Sequence, residues 1–333
     1  MIEAELARCV ASWWPGATGV TGAAKLSGGA SQETWSFDIV HPDGNSGAIL
    51  RRAPKGYGAS PSRAAGLENE AILMRLACEA GVPSPRVLHV LQPEDDLGSG
   101  FIMARVEGET IARKILRDER FAMARPLLAR QLGGIAAGIH GLPRAKLPVL
   151  REMNATKEIA ELDREYRSFN WPRPVFELAL RWLRDHDPGP PDQVTLVHGD
   201  FRHGNLIIGT NGVRAVLDWE LAHLGDPMED LGWICVNSWR FGEIDKPVGG
   251  FGSREDLFAG YEAAAGARID PARVKFWEVM GTLRWGVMCC GMMQRFRLGP
   301  DHSMERAMIG RRASETEIDL LRLLAPRESH HAG

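Results

Sequence analysis

The chain has 333 residues, 44% hydrophobic and 25% charged, the balance of a folded globular protein and not of a disordered one. Lys plus Arg number 40 against 43 for Asp plus Glu, a net charge of −3, so there is no basic surplus for a dedicated nucleic-acid binder. No apolar run approaches the roughly 20 residues of a membrane helix, and residues 1–8, which include Glu3 and Glu5, lack a signal peptide's apolar core. The 5 cysteines, an odd number without CxxC spacing, read as buried thiols of a reducing cytoplasm.

Ile2, Leu6, Val10 and Trp13 recur at helical spacing before Pro15-Gly16, which predicts a short amphipathic helix. Residues 20–52 change texture. The β-branched and aromatic stretch 33–40, the turn signal Pro42-Asp43-Gly44-Asn45 and the strand-like 47–52 predict an antiparallel hairpin, with the glycine loop Gly28-Gly29-Ala30-Ser31 ahead of it. After a Gly/Pro/Ser connector, residues 64–80 read as a helix with Leu67, Ala71, Met74 and Cys78 on one stripe. Residues 87–90 and 101–106 are two more strand candidates. Gly108 marks the domain boundary, with five strands and one main helix expected before it.

Beyond Gly108 the pattern is mainly helical. Helices are expected over 121–140, where Leu127, Leu128, Leu132, Ile135 and Ile139 recur at spacings of three and four, and over 155–166, 174–185, 255–265, 271–294 and 314–324. Ser314 and Glu317 form a capping-box pattern at the last of these. Residues 193–197, 206–208 and 213–217 are β-like. The tail 326–333 is expected to fray, with His330-His331 solvated.

The densest chemical signal is Leu196-Val-His198-Gly-Asp200-Phe-Arg-His203-Gly-Asn205-Leu206. A His-x-Asp-x4-Asn spacing is expected only ~0.01 times by chance at this composition. Asp218 follows Asn205 at the end of another β-like run. Phosphoryl transfer from a nucleotide needs this set: one carboxylate to orient an acceptor hydroxyl and take its proton, and an amide oxygen with a second carboxylate to hold Mg²⁺ against phosphates. The sequence has no GxxxxGK[ST], GxSxG, HExxH or complete GxGxxG to suggest another mechanism.

On these residues the chain resembles the aminoglycoside phosphotransferase and choline-kinase-like family of small-molecule kinases, over roughly residues 20–324. The run Leu217-Asp-Trp-Glu-Leu-Ala-His-Leu-Gly-Asp-Pro-Met-Glu-Asp-Leu231 is most similar to the subgroup of kinase-like domains fused to acyl-CoA dehydrogenase-like proteins. The resemblance implies an α+β, bilobal protein-kinase-like fold: a small antiparallel-sheet lobe over 1–107, a hinge at about 103–108, and a larger, mainly helical lobe over 108–333. It implies ATP-dependent phosphorylation of a hydroxyl on a small molecule, with ATP and Mg²⁺ as cofactors and no membrane or nucleic-acid partner.

Carried over by position, Asp200 matches the catalytic base, Asn205 and Asp218 the metal ligands, and His198 the brace of the catalytic loop. Gly28, Gly29 and Ser31 would fold over the phosphates, where backbone N–H groups approach anions. Arg51 stands where such kinases carry a strand lysine, and its charge can fork two oxygens. Its partner is expected to be Glu70, with Glu68 the alternative. Met103, Arg105 and Val106 would hold the adenine edge through their backbone. Asp226 and Asp230 are expected to be structural, and the Trp-rich stretch 233–239 to be core.

For the acceptor, residues 141–192 hold 9 basic and 9 acidic groups, and residues 271–333 hold 10 and 7. That lacks the carboxylate surplus a polycationic aminoglycoside would favour. Arg284, Arg295 and Arg297, with the Met/Trp stripe of their helix, suit an acceptor with an anionic handle and an apolar part, such as a hydroxyacid or hydroxyacyl-CoA. A scaffold that binds nucleotide without catalysis, and an antibiotic kinase, are the alternatives.

Overall fold

The computed structural model describes residues 2–26, 32–53, 63–299 and 303–325. Helix α1 (Ile2–Trp13) turns Leu6, Cys9 and Val10 inward, as its spacing predicts. Strands β1 (Gly19–Leu26), β2 (Glu33–His41) and β3 (Gly44–Arg52) follow as an antiparallel meander. The β2–β3 turn is tighter than the four-residue signal suggests, since His41 already pairs with Gly44. Helix α2 (Leu67–Glu79), β4 (Val87–Val90) and β5 (Gly100–Ala104) complete a five-stranded sheet of order β1-β2-β3-β5-β4, antiparallel throughout.

The two faces of this sheet have different neighbours, and the period-2 alternation of strands decides which side chain goes where. Phe37, Ile39, Ala48, Leu50 and Ile102 point to one face and form a small core with Leu6, Cys9 and Val10 of α1. Their neighbours Thr34, Ser36, Ile49, Arg51, Phe101 and Met103 point to the other, where they line a cavity together with Glu70 and Met74 of α2.

The strand expected to run to residue 106 ends at Ala104, and the chain leaves the sheet through Gly108. Gly108 has a φ of 157°, and a Cβ there would stand 2.4 Å from Ile207 Cγ2. The crossing is pinned immediately by a bridge in which Glu109 and Ile208 exchange N–H···O bonds, both 2.9 Å.

The remainder is chiefly helical: α3 (Ala112–Arg117), α4 (Arg125–His140), α5 (Ala155–Ser168) and α6 (Pro174–Asp185) precede four short strands, β6 (Thr195–Val197), β7 (Leu206–Gly209), β8 (Gly212–Val216) and β9 (His223–Gly225). These pair as β6–β9 and β7–β8 and carry the loops that bear the site. Then come α7 (Met228–Cys235), α8 (Arg254–Ala265), α9 (Pro271–Leu298), α10 (Met304–Gly310) and α11 (Ala313–Leu324). The 28-residue α9 buries Phe276, Trp277, Met280, Leu283 and Trp285 and is the spine of the main core. The architecture is the α+β, kinase-like one, a small antiparallel sheet joined to a larger helical part.

Several expectations need correction. The helix predicted from residue 121 begins at Arg125, after a 3-10 turn at Glu119–Phe121. Leu127 is exposed and Ile135 only half-buried, whereas Leu128, Leu132 and Ile139 are fully buried. The Ser314/Glu317 capping box does not form. Arg312 occupies the cap position, and Glu317 is drawn away by a 2.7 Å ion pair with Arg173. All five cysteines are free, with Cys9, Cys235, Cys289 and Cys290 buried and Cys78 half-buried. The tail 326–333 lies outside the described residues. Among the described residues no helix is long and apolar enough to cross a membrane.

Candidate active site

The loop after β6 is built around Gly199. Its φ of 79° and the 2.5 Å gap between a Cβ there and the Leu221 carbonyl oxygen admit only glycine without displacement. The backbone N–H groups of His198 and Gly199 donate to the two oxygens of Asp230, at 2.8 and 3.0 Å. Asp230 is fully buried and also accepts from His140 Nε2 at 3.0 Å. His198 donates from Nε2 to the Leu217 carbonyl (3.0 Å) and accepts at Nδ1 from the Asp200 N–H (3.3 Å), which fixes its tautomer. It ties the loop bearing Asp200 to the strand end that delivers Asp218, the arrangement of a brace.

Asp200 is 9% exposed. Its Oδ2 accepts from Asn205 Nδ2 at 2.6 Å, and its Oδ1 accepts from Trp233 Nε1 at 2.8 Å and Arg202 Nε at 2.9 Å. Burial alone would raise this carboxyl. The Arg202 charge and the hydrogen bonds from Trp233 and Arg202 outweigh it and hold the group below the usual carboxylate range. Because Nδ2 of Asn205 is committed to Asp200, its Oδ1 is the atom left to act as a ligand. Leu217 N donates to the Asn205 carbonyl at 2.8 Å, which brings the next residue, Asp218, alongside. Asp218 takes the left-handed conformation, φ 65° and ψ 65°, at the turn before Trp219. This backbone state is uncommon for a side chain other than Asn, Asp or Gly. The side chain keeps 29% of its surface open to the cleft.

Arg51 of β3 reaches this loop. Its guanidinium donates to Asp218 Oδ1 and to Gln32 Oε1, and lies 3.3 Å from Glu70 Oε2 and 3.4 Å from Glu220 Oε2. The pairing falls on Glu70, which is 1% exposed, and not on Glu68. Burial pushes the Glu70 carboxyl up to about 7, against the pull of Arg51. Glu220 is raised as well, by burial and by the charge of Asp218.

Beside this cluster lies a cavity of about 350 Å³ between the five-stranded sheet and the β7–β8 pair with the turn after it, walled by Ile49, Phe101, Met103, Val106, Ile207 and Leu217 among others. Its apolar strip suits a flat heterocycle, and its Arg51 end suits phosphates. Arg105 contributes backbone and stem. Its guanidinium turns to Asp38 at 2.8 Å and Ser36 Oγ at 3.2 Å. Gly28, Gly29 and Ser31 lie outside the described residues.

Three further residues belong to the constellation, and two of them, Glu220 and Arg202, were not singled out from sequence. Glu220 and Gln32 share Arg51, and Arg202 contacts Asp200 while its guanidinium lies 4.6 Å over the Trp239 ring. Trp233 is core by burial, but its indole N–H is spent on Asp200. Asp226 is structural: it accepts from Arg273 Nε (2.6 Å) and Trp277 Nε1 (2.7 Å). The proposed anionic handle loses one member, because Arg284 keeps only 11% of its side chain exposed and bonds Glu229 (2.9 Å) and the Gly199 carbonyl (3.1 Å). Arg295 and Arg297 are exposed at the far end of α9.

The curated relatives include mouse acyl-CoA dehydrogenase family member 10, 30% identical over 195 residues, covering 56% of this chain and 18% of that protein. Chicken acyl-CoA dehydrogenase family member 11 is 23% identical over 99% of this chain and 44% of its own. The chain thus spans less than half the length of these relatives. Among solved structures, an aminoglycoside phosphotransferase-like protein from Ralstonia eutropha superposes with a TM-score of 0.74 at 21% identity, covering 96% of this chain and 97% of that one. A choline/ethanolamine kinase family protein from Mesorhizobium loti gives 0.64 at 21%, covering 98% and 96%. Aminoglycoside phosphotransferase APH(4)-Ia, in complex with ADP and hygromycin B, gives 0.63 at 18%, covering 98% and 99%. At these identities the structures speak for the fold. The sequence model of the phosphotransferase enzyme family matches residues 22–277, most of the chain, and the protein belongs to that family.

Proposed function

We propose that the protein is an ATP-dependent phosphotransferase that moves the γ-phosphate to a hydroxyl of a small molecule. The observation that carries this reading is the convergence of Asp200, Asn205 and Asp218 with the Arg51–Glu70 pair at one end of an apolar interlobe cavity. Residues 1–107 form the nucleotide-binding lobe and 108–333 the catalytic lobe, with the adenine against Met103–Val106 and the phosphates toward Arg51.

Asp200 Oδ2 takes the hydrogen bond of the acceptor hydroxyl and accepts its proton as the phosphoryl group is transferred. Its low proton affinity suits a base that orients more than it abstracts, since the transition state is loose and the hydroxyl becomes acidic only late. Asn205 Oδ1 and Asp218 offer the hard oxygen donors that fit Mg²⁺, which would supply neutralisation of phosphate charge. Arg51, held by Glu70, adds a fixed cation at the same place.

For the acceptor we favour a hydroxyacid or hydroxyacyl-CoA. A cavity of about 490 Å³ lies beside the turn that follows α7, and Arg113 and Ser238 offer it donors for an anionic group, while Asn237 and Arg312 are paired with Asp319 and Glu315 of the same lining. The family and the nucleotide complexes of its structural neighbours support the kinase chemistry. A phosphoryl-transfer screen with labelled ATP across hydroxyacids, hydroxyacyl-CoAs, sugars, amino alcohols and aminoglycosides tests it. Transfer to an anionic hydroxyl compound is the expected result. ATP binding with no transfer to any class, and no ATPase activity, would mark a scaffold instead.

A further inference from the structure

Asp200 receives three side-chain hydrogen bonds, and they divide unequally between its oxygens. Oδ1 takes two, from Trp233 and Arg202, while Oδ2 takes one, from Asn205. A carboxylate oxygen has two lone-pair directions in its plane. Oδ1 is therefore saturated and Oδ2 keeps one free. Left to itself, a carboxylate turns easily about its last torsion and presents either oxygen. Here the indole decides, because Trp233 is the donor least able to move.

Its ring is 3% exposed and lies on α7, which packs along α9. The Arg284 guanidinium from α9 sits 4.0 Å over the ring. Arg284 in turn is held by Glu229 at 2.9 Å and by the Gly199 carbonyl at 3.1 Å, and Glu229 is held by His223 at 3.0 Å. The brace thus starts and ends on the catalytic loop itself. Arg202, by contrast, is 27% exposed on its side chain and so is the less fixed of the two donors to Oδ1.

We propose that Trp233, backed by Arg284, is a positioning residue that aims the free lone pair of Asp200 Oδ2 at the acceptor hydroxyl. The role presupposes the kinase reading. The hydrogen bond itself does not, and the test separates the two.

The first measurement needs neither ATP nor acceptor. In a ¹⁵N–¹H spectrum of the full chain, the Trp233 indole N–H should resonate apart from the other tryptophans, as a donor to a buried charge does. It should move in Asp200→Asn, where the acceptor charge is gone. With ¹³C-labelled aspartate, the Asp200 carboxyl carbon should shift in Trp233→Phe, which keeps the ring and loses the N–H. An indole signal indifferent to Asp200→Asn, or an Asp200 carboxyl resonance unmoved in Trp233→Phe, overturns the proposal even if Trp233→Phe proves too unstable for kinetics.

The second measurement reads turnover. Losing one hydrogen bond to a charged group is worth roughly tenfold or more, so Trp233→Phe should lower kcat by about that factor. KM for Mg·ATP should stay within about twofold, because the indole touches no part of the nucleotide site. A folded Trp233→Phe with wild-type kcat, or one whose loss lies wholly in KM for ATP, overturns the positioning role. If the wild-type protein neither binds Mg·AMP-PNP nor turns over ATP, the kinase reading fails, and with it the role, while the spectroscopic shifts still report the bond.

Discussion

At Asp200 the environment separates two jobs that one carboxylate could confuse, binding phosphate and orienting a hydroxyl. Three of its four lone pairs are committed to Trp233, Arg202 and Asn205, and the Arg51 cation is committed elsewhere. Asp200→Asn should therefore bind Mg·ATP almost as well as the parent and lose about 10²–10⁴-fold in kcat, the usual contribution of a general base. Equilibrium titration with Mg·AMP-PNP beside turnover with an acceptor checks it; near-normal turnover would remove Asp200 from the chemistry. Glu70 makes a second residue-level case. Its carboxyl is pushed by burial from an ordinary 4.5 to about 7, so the folded chain holds that proton more tightly than the unfolded one. Its contribution to stability is complete below about pH 4.5 and is lost as pH rises through about 7. Glu70→Gln mimics the protonated form. The stability of wild type relative to this variant should fall between pH 5 and pH 8 by an amount of order 3 kcal/mol. Urea unfolding at the two pH values measures it, and a flat or rising difference would mean that Arg51 fully repays the burial.

At the scale of elements, what could be read in the sequence was whatever a local period carries. The stripe of α1, the alternation of β2 and the apolar spacing of α4 each repeat often enough to announce themselves. What could not be read depends on partners distant in sequence. α3 has 6 residues, β9 has 3 and α10 has 7, too few to show a period, and β9 exists because β6 offers it a ladder. The failed capping box has the same cause: Glu317 meets Arg173, 144 positions away, and a direct ion pair wins over a cap. Helix α1 offers a test of the sheet's two-sided construction. Leu6 is 0% exposed in the small cluster formed with Phe37, Ile39, Leu50 and Ile102, and Trp13 of the same helix stacks on His89 at 5.0 Å. Leu6→Ala should cost about 2–5 kcal/mol. The cluster is separate from the main core, so faster hydrogen exchange should concentrate in α1 and β1–β3 and spare α4, α8 and α9. Uniform acceleration across all helices would mean that the two cores unfold as one.

For the whole molecule, the site is a meeting of charges from parts that the chain keeps far apart. Asp200, Asn205 and Asp218 were legible because they lie within 19 residues at a spacing that chance rarely produces. Glu220, Arg202 and Trp233 were not, because nothing local distinguishes them from a solvated or core residue; only folding puts them on Arg51 or Asp200. The assembled cleft holds the carboxyls of Glu70, Asp200, Asp218 and Glu220 against the guanidiniums of Arg51 and Arg202. A bare triphosphate entering it meets net repulsion, since Arg51 is already shared among three carboxylates. A divalent cation alone gains two protein ligands, too few to fill an octahedral shell. Each should therefore stabilise the protein weakly, and the two together strongly, by about 2.7 kcal/mol at a hundredfold excess over the dissociation constant. Thermal unfolding with ATP, with Mg²⁺ and with both gives the coupling directly. Asp218→Ala removes one ligand and one negative charge. It should leave the effect of ATP alone equal or slightly larger, because repulsion falls, and should abolish most of the extra gain that Mg²⁺ brings. A variant that keeps the full Mg²⁺-dependent gain would move the metal away from Asp218, and Arg51 would then be its true partner in both the free and the loaded protein.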